Sequence, residues 1–270
     1  GEHAFLIAVF SSAVIAGTPI LLAALGELVT ERAGILNLGV EGMMLIGAVC
    51  GFMATIITGN SWLGLLAAML AGGAMGLIHA VLSVSLRADQ TVSGLALSLF
   101  GAGLSGYLGK AYIGLPVAEP FHSVPLPGLS QIPFFGPVLF RHDVLVYLSW
   151  VLVLALWFFL KKTRPGLYLQ AIGENPAAAD SLGINVAGLR YLYVIVGGML
   201  CGAGGAYLSL ASAPSWLENM TAGRGWIAVA LVIFALWRPW RALVGSYLFG
   251  GIDALGFHLQ AAGVHVSQFF

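Results

Sequence analysis

Two short stretches carry side chains whose type and spacing could do chemistry. The first holds Asn37 and Glu41, four residues apart in an apolar segment with Gly34, Gly39 and Gly42 around them. Residues at i and i+4 share one face of a helix, so the spacing predicts an amide and a carboxylate side by side. A carboxylate at the centre of an apolar span costs about 2.5–3.5 kcal/mol unless it is paired or meets water. Two readings follow: Glu41 joins a polar network with Arg32 or a neighbouring helix, or Asn37 and Glu41 line the path of a polar solute. Glu27, Glu31 and Arg32, just upstream, read as boundary charges, solvated or mutually paired.

The second stretch runs Glu174-Asn175-Pro176-Ala177-Ala178-Ala179-Asp180-Ser181-Leu182-Gly183. Asn175 suits a helix N-cap, Pro176 the first helical position, and the alanines propagate the helix. Gly183 is placed as a left-handed stop. A helix of two turns is marginal alone, so this one is expected to gain order by docking through Ala178, Leu182 and Ile184 on another molecule. Enzyme signatures are missing: there is no His-Glu-x-x-His, no Gly-x-Ser-x-Gly and no phosphate-binding Gly-rich loop ending in Lys-Ser/Thr. His79, alone in an apolar run, reads as a hydrogen-bonded packing residue, and His122 and His142 as loop or boundary residues. Any energy for moving a solute must then come from an ion gradient or another subunit.

The elements that position these residues follow from composition. Of 270 residues, 59% are apolar and 8% charged, with a mean hydropathy of +0.96. A soluble domain carries about 25% charged residues, which excludes a soluble enzyme. Zero net charge without a basic stripe excludes a nucleic-acid binder, and two cysteines inside apolar runs (Cys50, Cys201) exclude a disulfide scaffold. An all-α, polytopic transmembrane bundle of about eight to nine spans is expected, as one domain over 1–270. Candidate spans lie near 4–25, 34–57, 62–86, 91–109, 143–160, 189–211, 224–237 and 242–258. The segment 224–237 is short for a crossing and either begins near Pro214 or re-enters the membrane. Residues 110–142 hold six of the eleven prolines and read as an extramembrane loop. Glycines spaced i, i+4 (Gly47/Gly51, Gly72/Gly76, Gly198/Gly202) suit close helix packing in lipid.

Orientation follows from the basic residues. With the 161–190 segment in the cytoplasm, alternation places Arg32, Arg87, Arg238 and Arg241 there too. Eight of the eleven basic residues are then inside, leaving Lys110, Arg141 and Arg224 outside. The N-terminus, with Glu2 and His3, shows no basic leader. An apolar end at Phe269-Phe270, just past an outward span, predicts continuation into one more inward helix. The runs Phe100-Gly101-Ala102-Gly103 and Cys201-Gly202-Ala203-Gly204 are either a weak internal repeat or two packing faces. Trp216, Trp226 and Phe234 stand where they would stack a base, pack, or form an interfacial belt.

At Glu31-Arg32-Ala33-Gly34-Ile35-Leu36-Asn37-Leu38-Gly39-Val40-Glu41-Gly42-Met43 and at Gly173-Glu174-Asn175-Pro176-Ala177-Ala178-Ala179 the chain resembles the permease subunits of ATP-binding-cassette importers for simple sugars and nucleosides. The Asn-Leu-Gly-Val-Glu-Gly version looks like the nucleoside-type branch, and Gln170 departs from the arginine that relatives usually place there. The resemblance implies an ABC-importer permease fold and inward transport of nucleosides or related small polar solutes by alternating access. A simple sugar is the alternative cargo. It implies a cytoplasmic ATPase that binds ATP and Mg, an extracytoplasmic solute-binding protein or lipoprotein, and a second permease subunit. No cofactor and no nucleic acid is expected on this chain. The location implied is the bacterial or archaeal cytoplasmic (inner) membrane, with the chain crossing its lipid bilayer many times. Glu174 to Gly183 would match the coupling helix seated on the ATPase. Lys110, Arg141 and Arg224 would receive acidic patches of the binding protein. A gradient-driven secondary transporter would place acids mid-span, where only Glu41 and Asp253 are candidates. A purely structural subunit is a further rival.

Overall fold

The computed structural model describes residues 1–263; the expected continuation past Phe270 lies outside them. The chain opens with α1 (Glu2–Arg32), an apolar helix 31 residues long. α2 (Val40–Thr58) stops at Gly59, whose φ of 70° is open to glycine and strained for other residues. Asn60 caps α3 (Ser61–Ala80), accepting from the Trp62 N–H, and a π-helical turn (Val81–Ser85) extends it. Asp89 caps α4 (Gln90–Gly109) in the same way, accepting from Val92 N–H. The Pro-rich loop then adds a small departure from an all-helical fold. In it, β1 (Ser123–Pro125) pairs antiparallel with β2 (Arg141–Asp143) around the short α5 (Phe135–Leu139).

Asp143 begins α6 (Val144–Lys162), accepting from Leu145 and Val146 N–H. The basic segment that follows holds two helices rather than one, α7 (Arg164–Glu174) and α8 (Pro176–Ser181). α9 (Val186–Tyr207) continues through a π turn (Leu208–Ser212), and α10 (Arg224–Phe234) and α11 (Pro239–Ala261) complete the described chain.

Small residues set the packing. α9 lies against α1, α2 and α3. A Cβ on Gly76 would come within 2.8 Å of the Val194 carbonyl oxygen, and one on Gly47 would overlap the backbone of Gly202. α11 crosses α1 in the same way, with Gly250 2.5 Å from the Ala13 carbonyl by that measure. Backbones this close give dense van der Waals contact, which drives helix association where lipid offers no hydrophobic incentive.

Among the described residues, seven helices are long and apolar enough to cross a membrane, one fewer than the lower expectation. The difference is α10. At 11 residues it spans about 16 Å, half a bilayer core, and the backbone before it (213–223) is irregular. Arg32 Nη2 donates to the Trp237 carbonyl at 2.9 Å, so the ends of α1 and α10 and the start of α11 share one level. That basic end also carries α7 and α8.

Candidate functional site

The predicted pairing of Asn37 and Glu41 on one helical face is not what forms. α1 ends at Arg32, Gly34 turns the chain at φ 89°, and residues 33–39 run back into the bundle without helix. Glu41 stands in the first turn of α2, while Asn37 precedes it and its Oδ1 accepts from Gly39 N–H at 2.8 Å. The glycines around Asn37 permit this turn, with Gly34 in the left-handed region.

Irregular backbone at membrane depth needs its polar groups satisfied by protein. Side chains from four helices do this, among them Arg190 of α9, whose Nε donates to the Ala33 carbonyl at 2.9 Å. Leu36 N–H donates to Gln90 Oε1 at 2.9 Å, and Asn37 N–H donates to Glu27 Oε1 at 3.0 Å. His79 Nε2 lies 2.9 Å from the Leu36 carbonyl, and Ser98 Oγ donates to the Leu38 carbonyl at 2.7 Å. Because a carbonyl only accepts, His79 carries its proton on Nε2, and Nδ1 accepts from Ser93 Oγ at 2.9 Å. His79 is thus a fully buried packing histidine, as expected.

Glu41 does not meet Arg32; of the two network partners the sequence left open, it finds the neighbouring helix. Its Oε1 accepts from Thr221 Oγ1 at 2.5 Å and Gly223 N–H at 3.0 Å, and its Oε2 from Gly225 N–H at 2.7 Å. These groups form the N-terminus of α10, where unpaired N–H groups and the helix dipole favour a negative charge. The next residue, Gly42, fits against Leu97 and Ser98. Ser98 is eight residues past Gln90 in the 20-residue α4, about 12 Å along the axis. α10 therefore begins near mid-depth and runs to the basic end.

Residues 213–223 descend to that point from the opposite end. Trp216 is fully buried against Gly109, at the far end of α4. Asn219 (φ 56°), Ala222 (φ 47°) and Gly223 (φ 86°) take left-handed conformations, and three local turns hold the descent together, closed by Met220, Ala222 and Arg224 N–H. A cavity of about 310 Å³ opens beside it, lined by Ile20, Arg224, Phe249 and Asp253 among others. Arg224 is half-buried, with Nη1 on the Thr221 carbonyl at 3.2 Å. Of the aromatic candidates, Trp216 is packed inside, while Phe234 is 84% exposed on the perimeter.

The remaining candidates separate in space. Lys110 follows α4 and Arg141 lies in β2, both exposed at the end opposite the basic one, whereas Arg224 is at mid-depth. Beside Arg141, burial pushes the His142 imidazole below its ordinary value and the Asp143 carboxyl above it. Asp143 Oδ2 accepts from Tyr207 at 3.0 Å. At the basic end, α8 has the expected ends: Asn175 Oδ1 accepts from Ala178 N–H at 3.0 Å, and Gly183 takes φ 85°. Glu174, Asn175, Ala177, Ala178, Asp180, Ser181 and Leu182 are exposed, Leu182 by 81%, Pro176 is half-buried and only Ala179 is buried. Gln170 Nε2 donates to the Leu160 and Gly166 carbonyls, joining α7 to α6.

Three contributors were misread or missed. Glu27 is fully buried rather than solvated; its position one turn before Glu31 gave no sign of the returning chain it holds. Thr221 lies in a stretch with no periodicity. Asp253 was visible as an acid inside an apolar run, but not its place beside Arg224.

The family described as branched-chain amino acid transport system / permease component matches residues 9–270. Among curated proteins, the chain is 47% identical over 95% of its length to the ABC transporter permease protein TsgC13 of Haloferax volcanii, provisionally named for glucose, covering 79% of that protein. It is 38% identical to the guanosine ABC transporter permease protein NupQ of Bacillus subtilis, over 88% of this chain and 78% of that one. It is 37% identical to the nucleoside ABC transporter permease protein NupC of Lactococcus lactis, over 92% and 81%. No solved structure matches the chain.

Proposed function

The chain belongs to the branched-chain amino acid transport system permease family, and from that premise we propose that it is the membrane-spanning subunit of an ATP-driven importer that passes nucleosides inward by alternating access. A simple sugar is the second cargo, favoured by the relative named for glucose. The family and its relatives make the chain a multi-pass transport component; the rest is our reading.

The observation that carries it is α8. A helix with both ends capped and Leu182 exposed on its tip meets the rest of its chain mainly through Ala179. Its order and exposed apolar side chain suit a groove on a cytoplasmic ATPase, which would bind ATP and Mg. The basic end is then cytoplasmic, as the positive-inside rule has it, in a bacterial or archaeal inner membrane. α8 leads through α7, whose Leu169 and Ile172 are fully buried, to the ends of α1 and α6. ATP-driven movement of α8 would therefore reach the irregular segments at mid-depth.

The cavity at Arg224 and Asp253 supports the same reading of the solute path. Asp253 is exposed within α11, and a carboxylate facing lipid is expensive. That face is turned instead toward a wet path shared with a second permease subunit. An acid, a guanidinium and the Phe249 ring fit an uncharged, hydroxyl-rich solute delivered by an extracytoplasmic binding protein. Lys110 and Arg141 remain as its docking charges. Glu41, occupied by α10, serves as the anchor of the moving half-helix.

The test is cross-linking and uptake in the assembled transporter. Asp180→Cys is expected to cross-link to cysteines placed on the ATPase. Leu182→Asp is expected to lower ATP-dependent uptake at least about tenfold, as losing a buried anchor does, with the amount of inserted permease unchanged. Full uptake by Leu182→Asp, or uptake driven by a proton gradient without the ATPase, overturns the reading.

A further inference from the structure

A second cavity, of about 380 Å³, lies at the basic end between α1, α6, α7 and the start of α11. Three cationic side chains, Arg32, Lys161 and Arg238, and three indoles, Trp157, Trp237 and Trp240, line much of it. Arg32 spends one nitrogen on the Trp237 carbonyl, while its buried Nε has no hydrogen-bond partner among the described residues. Lys161 and Arg238 are exposed and pair with no carboxylate there. The N-terminus of the 23-residue α11 opens on the same space without a side-chain cap. Glu174 is the acidic charge felt by Arg32, and it does not line the cavity.

We propose that this cavity binds the phosphate of an anionic phospholipid from the leaflet on the basic side. Converging cations and the unpartnered Arg32 Nε–H call for a phosphate. The surroundings call for one carried on a lipid. Trp240 is 48% exposed and Trp157 38%, as indoles at a headgroup boundary are. Val244 and Leu248 stand one and two turns above Trp240 on the same face of α11, both exposed, and line an apolar cavity of about 340 Å³ between α10 and α11. Trp240 lines the basic cavity and Arg241 the apolar one, so a headgroup at Arg238 has a groove for an acyl chain beginning at the next residues of α11. The lipid would brace the junction of α1, α10 and α11, and the proposal does not depend on the cargo.

The test uses the full-length permease in its assembled complex, in nanodiscs of phosphatidylcholine with or without phosphatidylglycerol, with retained lipid counted by native mass spectrometry. Wild type is expected to retain phosphatidylglycerol over phosphatidylcholine. Each basic side chain near a bilayer surface contributes about 1 kcal/mol to such binding. Lys161→Gln and Arg238→Gln should therefore each weaken retention about fivefold, and together about 25-fold. Lys161→Arg should retain it. No preference for phosphatidylglycerol in wild type, or unchanged retention in the double variant, overturns the proposal. Displacement of the lipid by inorganic phosphate makes free phosphate the ligand and overturns it as well. Retention only after the ATPase is removed would mean that an acidic surface of that partner fills the pocket, and also overturns it.

Discussion

Two stretches of irregular backbone enter the depth of this bundle, and they are held in opposite ways. Residues 33–39 are pinned by side chains from α1, α3, α4 and α9 (Glu27, His79, Gln90, Ser98 and Arg190). The polar groups of residues 213–223 are held near mid-depth by one carboxylate, Glu41, and by their own turns, with Trp216 packed into the core above them. Many independent bonds make a fixed wall. One carboxylate at a helix N-terminus is a single polar anchor, whose loss leaves α10 held chiefly by its apolar packing on α1 and α2. The difference leaves the second segment with the fewer polar holds, in keeping with our proposal that it is the moving part, a broken helix at the midplane.

The comparison can be broken most sharply at Glu41. Glu41→Ala leaves Gly223 N–H, Gly225 N–H and the Thr221 hydroxyl without their acceptor, a loss of about 3–5 kcal/mol. Thermal unfolding in detergent should fall accordingly, and a cysteine at the fully buried Ala228 of α10 should become reactive toward water-soluble thiol reagents while one at Leu38 does not. Glu41→Gln keeps the shape but turns an N–H toward a donor, and should lower uptake more than the amount of folded protein. Equal reactivity at both cysteines would erase the distinction.

His79→Leu should cost about 2 kcal/mol, because the Leu36 carbonyl is left buried and unsatisfied. Here the surviving protein should transport at the wild-type rate, since the remaining bonds keep residues 33–39 in place. A lowered rate per folded molecule would move this segment into the transport machinery. The smallest effect is expected at Ala222→Gly. It relieves a left-handed φ of 47° and should raise the unfolding midpoint by the equivalent of about 1 kcal/mol. No change would mean that the descent carries no strain.

Much of this molecule was legible from the chain alone. The few charges bracketed the spans, and six prolines marked the outer loop. Gly72, Gly76, Gly198 and Gly202 announced a helix crossing that α3 and α9 make. α8 was readable residue by residue, from Asn175 to Gly183, because caps act over three or four residues and need no distant partner. Asn37 was misread because an apolar glycine-rich run supports a helix or a returning loop equally well. The choice fell to Gln90 and His79, more than forty residues away in sequence.

The same division holds for function. Composition determined a membrane-embedded bundle, and local spacing determined a short helix capped at both ends, since both depend on neighbours along the chain. Tertiary structure alone decided that Glu41 anchors α10, that Arg224 and Asp253 share a cavity, and that Arg32, Lys161 and Arg238 converge. A charge in a low-dielectric interior takes its meaning from whatever group comes within about 3 Å of it, and folding, not sequence distance, selects that group.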